Sequence, residues 1–145
     1  MTDFLKAYNT GQQELKKLEI IQKEIDALFK DLNNQLKVPT GGRIVIDRQL
    51  LQAKDDSLFH SFTESVFPDS VKFYFAIVAS NPNSKIHKDK ELAKWDQQQG
   101  GYPCTISYGS TAITCHDLES LAAALARLLE DPQIAKIIAE VKSEI

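Results

Sequence analysis

Residues 100–129 read GGYPCTISYGSTAITCHDLESLAAALARLL, and this stretch decides the fold. With Gly109-Ser110 as a two-residue turn, Tyr108 faces Thr111, Ile106 faces Ile113 and Cys104 faces Cys115. Side chains alternate along a strand, so these six share one face, and Thr105, Ser107, Ala112 and Thr114 take the other. One apolar face and one small, polar face is the pattern of a half-buried antiparallel pair. Slipping the pairing by one residue would exchange the two faces, so the register is fixed as well.

A helix follows the predicted hairpin at once. Asp117 can accept backbone N–H bonds as its N-cap, and Glu119 in the first turn suits the positive end of the helix dipole. Leu118, Leu121, Ala122, Leu125, Leu128 and Leu129 form one stripe at helical spacing. Asp131-Pro132 then supplies a second cap and a first-turn proline, opening a short helix that carries Ile134, Ile137, Ile138 and Val141.

Upstream, residues 3–37 read as mainly helical. Leu18, Ile21, Ile25, Leu28 and Leu32 repeat in alternating steps of three and four, widened by Leu15, Phe29 and Leu36. Gly11 weakens the helix near its start, so residues 1–10 are expected as a separate turn or a frayed end. The stripe is expected to pack on the chain's own sheet, with a homodimer seam as the alternative. Val38-Pro39-Thr40-Gly41-Gly42 stops the helix. Arg43–Leu51 reads as a strand with Ile44 and Ile46 inward, and residues 57–67 fit a short helix or a strand equally well. After a turn at Pro68-Asp69-Ser70, Val71–Ala79 is apolar on both faces and is expected to be a central, buried strand. Asn81-Pro82-Asn83-Ser84 ends it. Residues 85–99 are polar and read as helical from about Asp89, with Leu92 and Trp95 as apolar contacts.

The chain has 145 residues, enough for one domain with a sizeable core. It carries no apolar run approaching the roughly 20 residues of a membrane span, and no secretory signal is visible, so a cytoplasmic protein is expected. Net charge is −3, from 17 basic and 20 acidic residues. Residues 102–145 hold Arg127, Lys136 and Lys142 against Asp117, Glu119, Glu130, Asp131, Glu140 and Glu144, so the excess lies there. Such a face disfavours direct nucleic-acid binding and steers toward a basic partner, though a solvated helix surface accounts for it too. Cys104 and Cys115 could bridge across the hairpin, but two buried, reduced thiols are expected without a secretory context.

No motif carries a reaction. Thr40-Gly41-Gly42-Arg43 and Gly100-Gly101 lack phosphate-loop spacing and read as helix caps. Cys104, Cys115 and His116 do not make a zinc set, since His116 points away from the thiols and His60 and His87 are remote in sequence. A buried Cys104 makes a poor nucleophile. Lys72-Phe73-Tyr74-Phe75-Ala76-Ile77 echoes the aromatic strand of RNA-recognition domains, but it lacks their glycine and basic surroundings, and its aromatics are expected in the core. No enzyme, cofactor or metal is expected.

The element order predicts a single α+β domain, residues 1–145: an antiparallel sheet of four to five strands with N- and C-terminal helices packed on it. In size, acidity and lack of catalytic motifs the whole chain resembles the immunity proteins of bacterial toxin systems, including those of contact-dependent growth inhibition. That resemblance implies a cognate toxin domain as partner, most often a basic nuclease, with Glu119, Glu130, Asp131 and Glu140 as the first candidates to meet it. If residues 57–67 are a strand, the order α-β-β-β-α-β-β-α is similar to that of small acidic type III secretion chaperones, dimers that hold an unfolded effector segment.

Overall fold

The computed structural model describes residues 1–53, 72–86 and 88–144. It is an α+β fold. α1 (Phe4–Thr40) leads to β1 (Val45–Gln52), followed by β2 (Phe73–Ser80), β3 (Lys90–Gln97), β4 (Cys104–Tyr108) and β5 (Thr111–Cys115). α2 (Leu118–Glu130) and α3 (Pro132–Lys142) close the chain. Among the described residues five strands form one antiparallel meander in chain order, with β1 and β5 at its edges. The alternative readings of 57–67, the turn at Pro68, and His60 and His87 lie outside the described residues.

The hairpin pairs as its side-chain pattern requires, with Cys104 opposite Cys115, Ile106 opposite Ile113 and Tyr108 opposite Thr111. Gly109 turns the chain at φ +56°, a conformation that costs glycine nothing. Cys104, Ile106 and Cys115 are fully buried, whereas on the outer face the Thr105 and Thr114 hydroxyls meet at 3.3 Å. Both cysteines are unbridged. Asp117 caps α2 in a reciprocal box: its carboxylate accepts from the Ser120 N–H at 2.7 Å, and the Ser120 hydroxyl accepts from the Asp117 N–H at 3.2 Å. The bond from the Ser120 N–H, with the Ser120 side chain as a further cause, holds the Asp117 carboxyl below its usual range. Asp131 caps α3 likewise, accepting from the Gln133 and Ile134 N–H groups.

Among the described residues the hydrophobic cluster lies on one face of the sheet, while Ala76 and Val78 of β2 are buried on the other. Ile25 and Phe29 of α1, Leu121, Leu125 and Leu128 of α2, and Ile134 and Val141 of α3 close over Ile46, Ile77, Trp95 and Ile106. Asn81, buried at the end of β2, donates through its amide to the Val141 carbonyl at 3.1 Å and the Glu144 carbonyl at 3.3 Å. It thereby ties the end of β2 to the C-terminal end of α3 and the residues just after it.

Four expectations are corrected. Residues 90–97 form β3 and not a helix. The register of β2 on β3 shifts between Ile77 and Val78, and this bulge leaves Leu92 and Ala93 both buried, hiding the two-residue alternation. Glu, Leu, Ala and Lys favour helix locally, but here strand pairing on both sides overrides propensity. Gly11 does not interrupt α1, which runs unbroken for 37 residues, about 55 Å. The helix ends in a left-handed Gly41, with the Gly41 N–H bonded to the Val38 carbonyl and the Gly42 N–H to that of Lys37. β2 is central and its Ala76–Ala79 half is buried, but Phe73 and Phe75 are exposed. The chaperone-like element order also fails, because it required a helix where β3 stands.

Truncating Ile106 to Ala, at the centre of this core, is expected to cost about 2–5 kcal/mol. Ile113→Ala, at a half-buried position, should cost less. Urea denaturation of both variants measures the difference, and equal losses would contradict the burial described.

Candidate functional site

β2 and β3 pair from Ala79 down to Phe75 opposite Trp95, and among the described residues the pairing stops there. Phe73 and Tyr74 continue on β1 alone, and Asp96 and Gln97 continue on β4 alone. The sheet forks at this point. A groove of about 1110 Å³ opens in the fork, roofed on one side by Leu18, Glu19, Gln22 and Asp26 of α1.

Phe73 and Phe75 line the apolar part of the groove and are 60% and 53% exposed. They share a strand face with Ile77 and Ala79, which are buried, so one strand face passes from core to groove. Glu19, Asp26, Asp47 and Asp96 bring four carboxylates to the rim, against Arg48 and Lys94. Arg48 is already committed. It points inward from edge strand β1, its guanidinium lies 4.4 Å from the Phe29 ring centroid, and it is paired with Asp26 at 2.7 Å. An inward arginine of this kind helps to protect a sheet edge, and the aromatic face and carboxylate offset its desolvation. Gln97 donates to Gln22 at 3.1 Å, tying β3 to the helix at the groove wall.

The four carboxylates singled out in the sequence lie elsewhere. Glu119, Glu130 and Glu140 are exposed on α2 and α3. Glu119 and Glu130 stand at opposite ends of α2, about 16 Å apart along its axis. Asp131 is occupied as the cap of α3. None of the four lines the groove. Missed in the sequence were Phe73, Phe75 and Arg48. For Arg48 the signal was present, because it follows Ile44 and Ile46 at two-residue spacing. Exposure of the two phenylalanines depends on where the strand pairing ends, which their own pattern does not encode.

Among the described residues no three His, Cys, Asp or Glu side chains converge as metal ligands would. Burial, with the neighbouring Cys115 as a smaller cause, pushes the Cys104 thiol up to about 11, and the thiol donates to the Gly101 carbonyl at 3.2 Å. Burial raises Cys115 as well. Tyr102 is raised by its partial burial and by its hydrogen bond of 3.0 Å to the Glu24 carboxylate. The groove presents apolar surface, amides that donate and accept, and an excess of negative charge.

A raised thiol pKa means that thiolate is scarce near neutrality. Both cysteines are expected to resist alkylation at mildly alkaline pH while the protein is folded and to react fully in denaturant, as mass spectrometry would record.

Among the described residues no helix is long and apolar enough to cross a membrane. No family model, no curated protein and no solved structure matches the chain.

Proposed function

We propose that this chain is a non-enzymatic binding protein, an immunity protein that holds and neutralises a cognate toxin domain in the cytoplasm. The observation that supports this reading is the forked groove, with two exposed phenylalanines inside a rim of carboxylates. Aromatic anchors in a central recess, surrounded by polar groups, are the usual anatomy of a protein-binding hot spot. Glu19 and Asp96 complement a basic surface, such as the substrate-binding face of a nuclease, and raise its association rate by steering, while Asp47 and Asp26 are shared with Arg48. The same carboxylates disfavour phosphate, so exposed Phe73 and Phe75 do not make this groove a nucleic-acid platform. Glu119, Glu130 and Glu140 extend the negative field on the helical side and act at longer range.

The test is binding to a candidate toxin domain sought among the genes that neighbour this one, measured by calorimetry at two ionic strengths. Phe75→Asp and Phe73→Asp are each expected to weaken binding by about 30-fold or more with little change in melting temperature, since both side chains are exposed. Reversing Glu119, Glu130 and Glu140 to Lys should chiefly slow association and reduce its salt dependence. Tight binding unaffected by both phenylalanine variants would move the interface off the groove. Absence of binding to that domain would remove the immunity reading itself.

A further inference from the structure

Residues 1–17 are exposed throughout, although Phe4 to Lys17 are helical. Four large apolar side chains stand in this free half of α1: Phe4 is 78% exposed, Leu5 71%, Tyr8 63% and Leu15 46%. Phe4, Tyr8, Gly11, Leu15 and Leu18 recur in steps of four and three, continuing the stripe that Ile25, Phe29 and Leu32 turn toward the sheet. The stripe is thus one seam, covered by the chain's own sheet along its second half. We propose that the first half is covered by the same segment of a second copy, packed antiparallel, so that the protein is a homodimer joined through the tips of its long helices.

Shape argues for this occupant. With Phe4 set opposite Leu15 of the second copy, Tyr8 falls opposite that copy's Gly11, in the alternation of seam positions that antiparallel helices use. Glycine is a poor helix former, yet it sits here inside an unbroken helix. A Cβ built at Gly11 meets nothing within 4 Å, so its own fold does not require the glycine. A flat spot on the seam, matched to a phenol ring, accounts for it. The same register delivers Phe4 of the second copy beside a hollow of about 410 Å³ at the root of the free half, bounded by Leu15, Leu18, Ile21, Gln99 and Gly100.

Charge selects the direction. A parallel, in-register pair would set Glu14 against Glu19 of the other helix, on both sides of the seam. The antiparallel pair avoids this, opposes the two helix dipoles, and brings Asp3 level with Lys16 of the other copy. The two helices run side by side over residues 4–15, about 12 residues or roughly 18 Å, with the folded bodies at opposite ends of the overlap. The four apolar side chains supply several hundred Å² per copy, a large part of the roughly 800 Å² that a stable interface takes from each partner.

Sedimentation equilibrium of the full chain is expected to show a dimer. Gly11→Leu should raise the dimer dissociation constant about tenfold or more while leaving far-UV circular dichroism and the melting curve of the monomer intact or improved. Tyr8→Glu should do the same without the gain in stability. In a mixture of Ala7→Cys and Glu14→Cys chains, oxidation should link the two different variants, whereas Ala7→Cys alone should not self-link. A monomer at high micromolar concentration, a dimer indifferent to Gly11→Leu and Tyr8→Glu, or self-linking of Ala7→Cys would each overturn the proposal. So would monomeric binding to anionic lipid vesicles through the same face.

Discussion

The side-chain amide of Asn33 donates to the Ile46 carbonyl and accepts from the Ile46 N–H, both at 2.8 Å. In doing so it behaves as one residue of an extra strand, laid along the side of β1 that faces away from β2. An edge strand left bare invites pairing with another chain, and covering it with a helix is one of the few remedies. Here the cover is held by hydrogen bonds as well as by packing, so the long helix cannot slide along the sheet without leaving two buried backbone groups unpaired. The placement of Phe29 on Trp95, of Arg48 beneath Asp26, and of the groove wall all follow from that docking.

The groove is the other side of the same constraint. α1 is fixed to β1 at Asn33, and among the described residues it leaves the outer ends of β2 and β3 uncovered where their mutual pairing also stops. Phe73 and Phe75 remain exposed because the helix passes beside them, and Glu19 and Asp26 reach the rim because the polar side of the helix turns toward the opening. The edge cover and the recognition surface are two results of one crossing.

The fold class was legible where sequence pattern and structure are both local. The hairpin register follows from side-chain alternation, and the caps at Asp117 and Asp131 follow from short polar groups placed ahead of apolar stripes. β3 was illegible because a bulge removed its alternation and its residues prefer helix in isolation. The continuity of α1 through Gly11 was obscured because a single glycine costs only about 1 kcal/mol, less than a long helix can absorb. The candidate site was the least legible part. Negative charge on α2 and α3 was countable from the sequence, but the groove arises from strand ends and a helix far apart in the chain, and only their meeting defines it.

Gly101 is the fulcrum of this arrangement. A Cβ there would lie 2.6 Å from Cγ2 of Ile21, so the helix rests directly on backbone, and Gly101 is held at φ +96°. Asn33 anchors the helix on one side of this support, and Phe4 stands at the end of the overhanging arm. The arm from Ile21 to Phe4 measures about 26 Å and the span from Ile21 to Asn33 about 18 Å. Lifting the helix by about 1 Å at the fulcrum, with the anchor fixed, would swing its tip by about 2.4 Å. A single methyl group at position 101 therefore acts as leverage, displacing most the part of the molecule from which it is farthest.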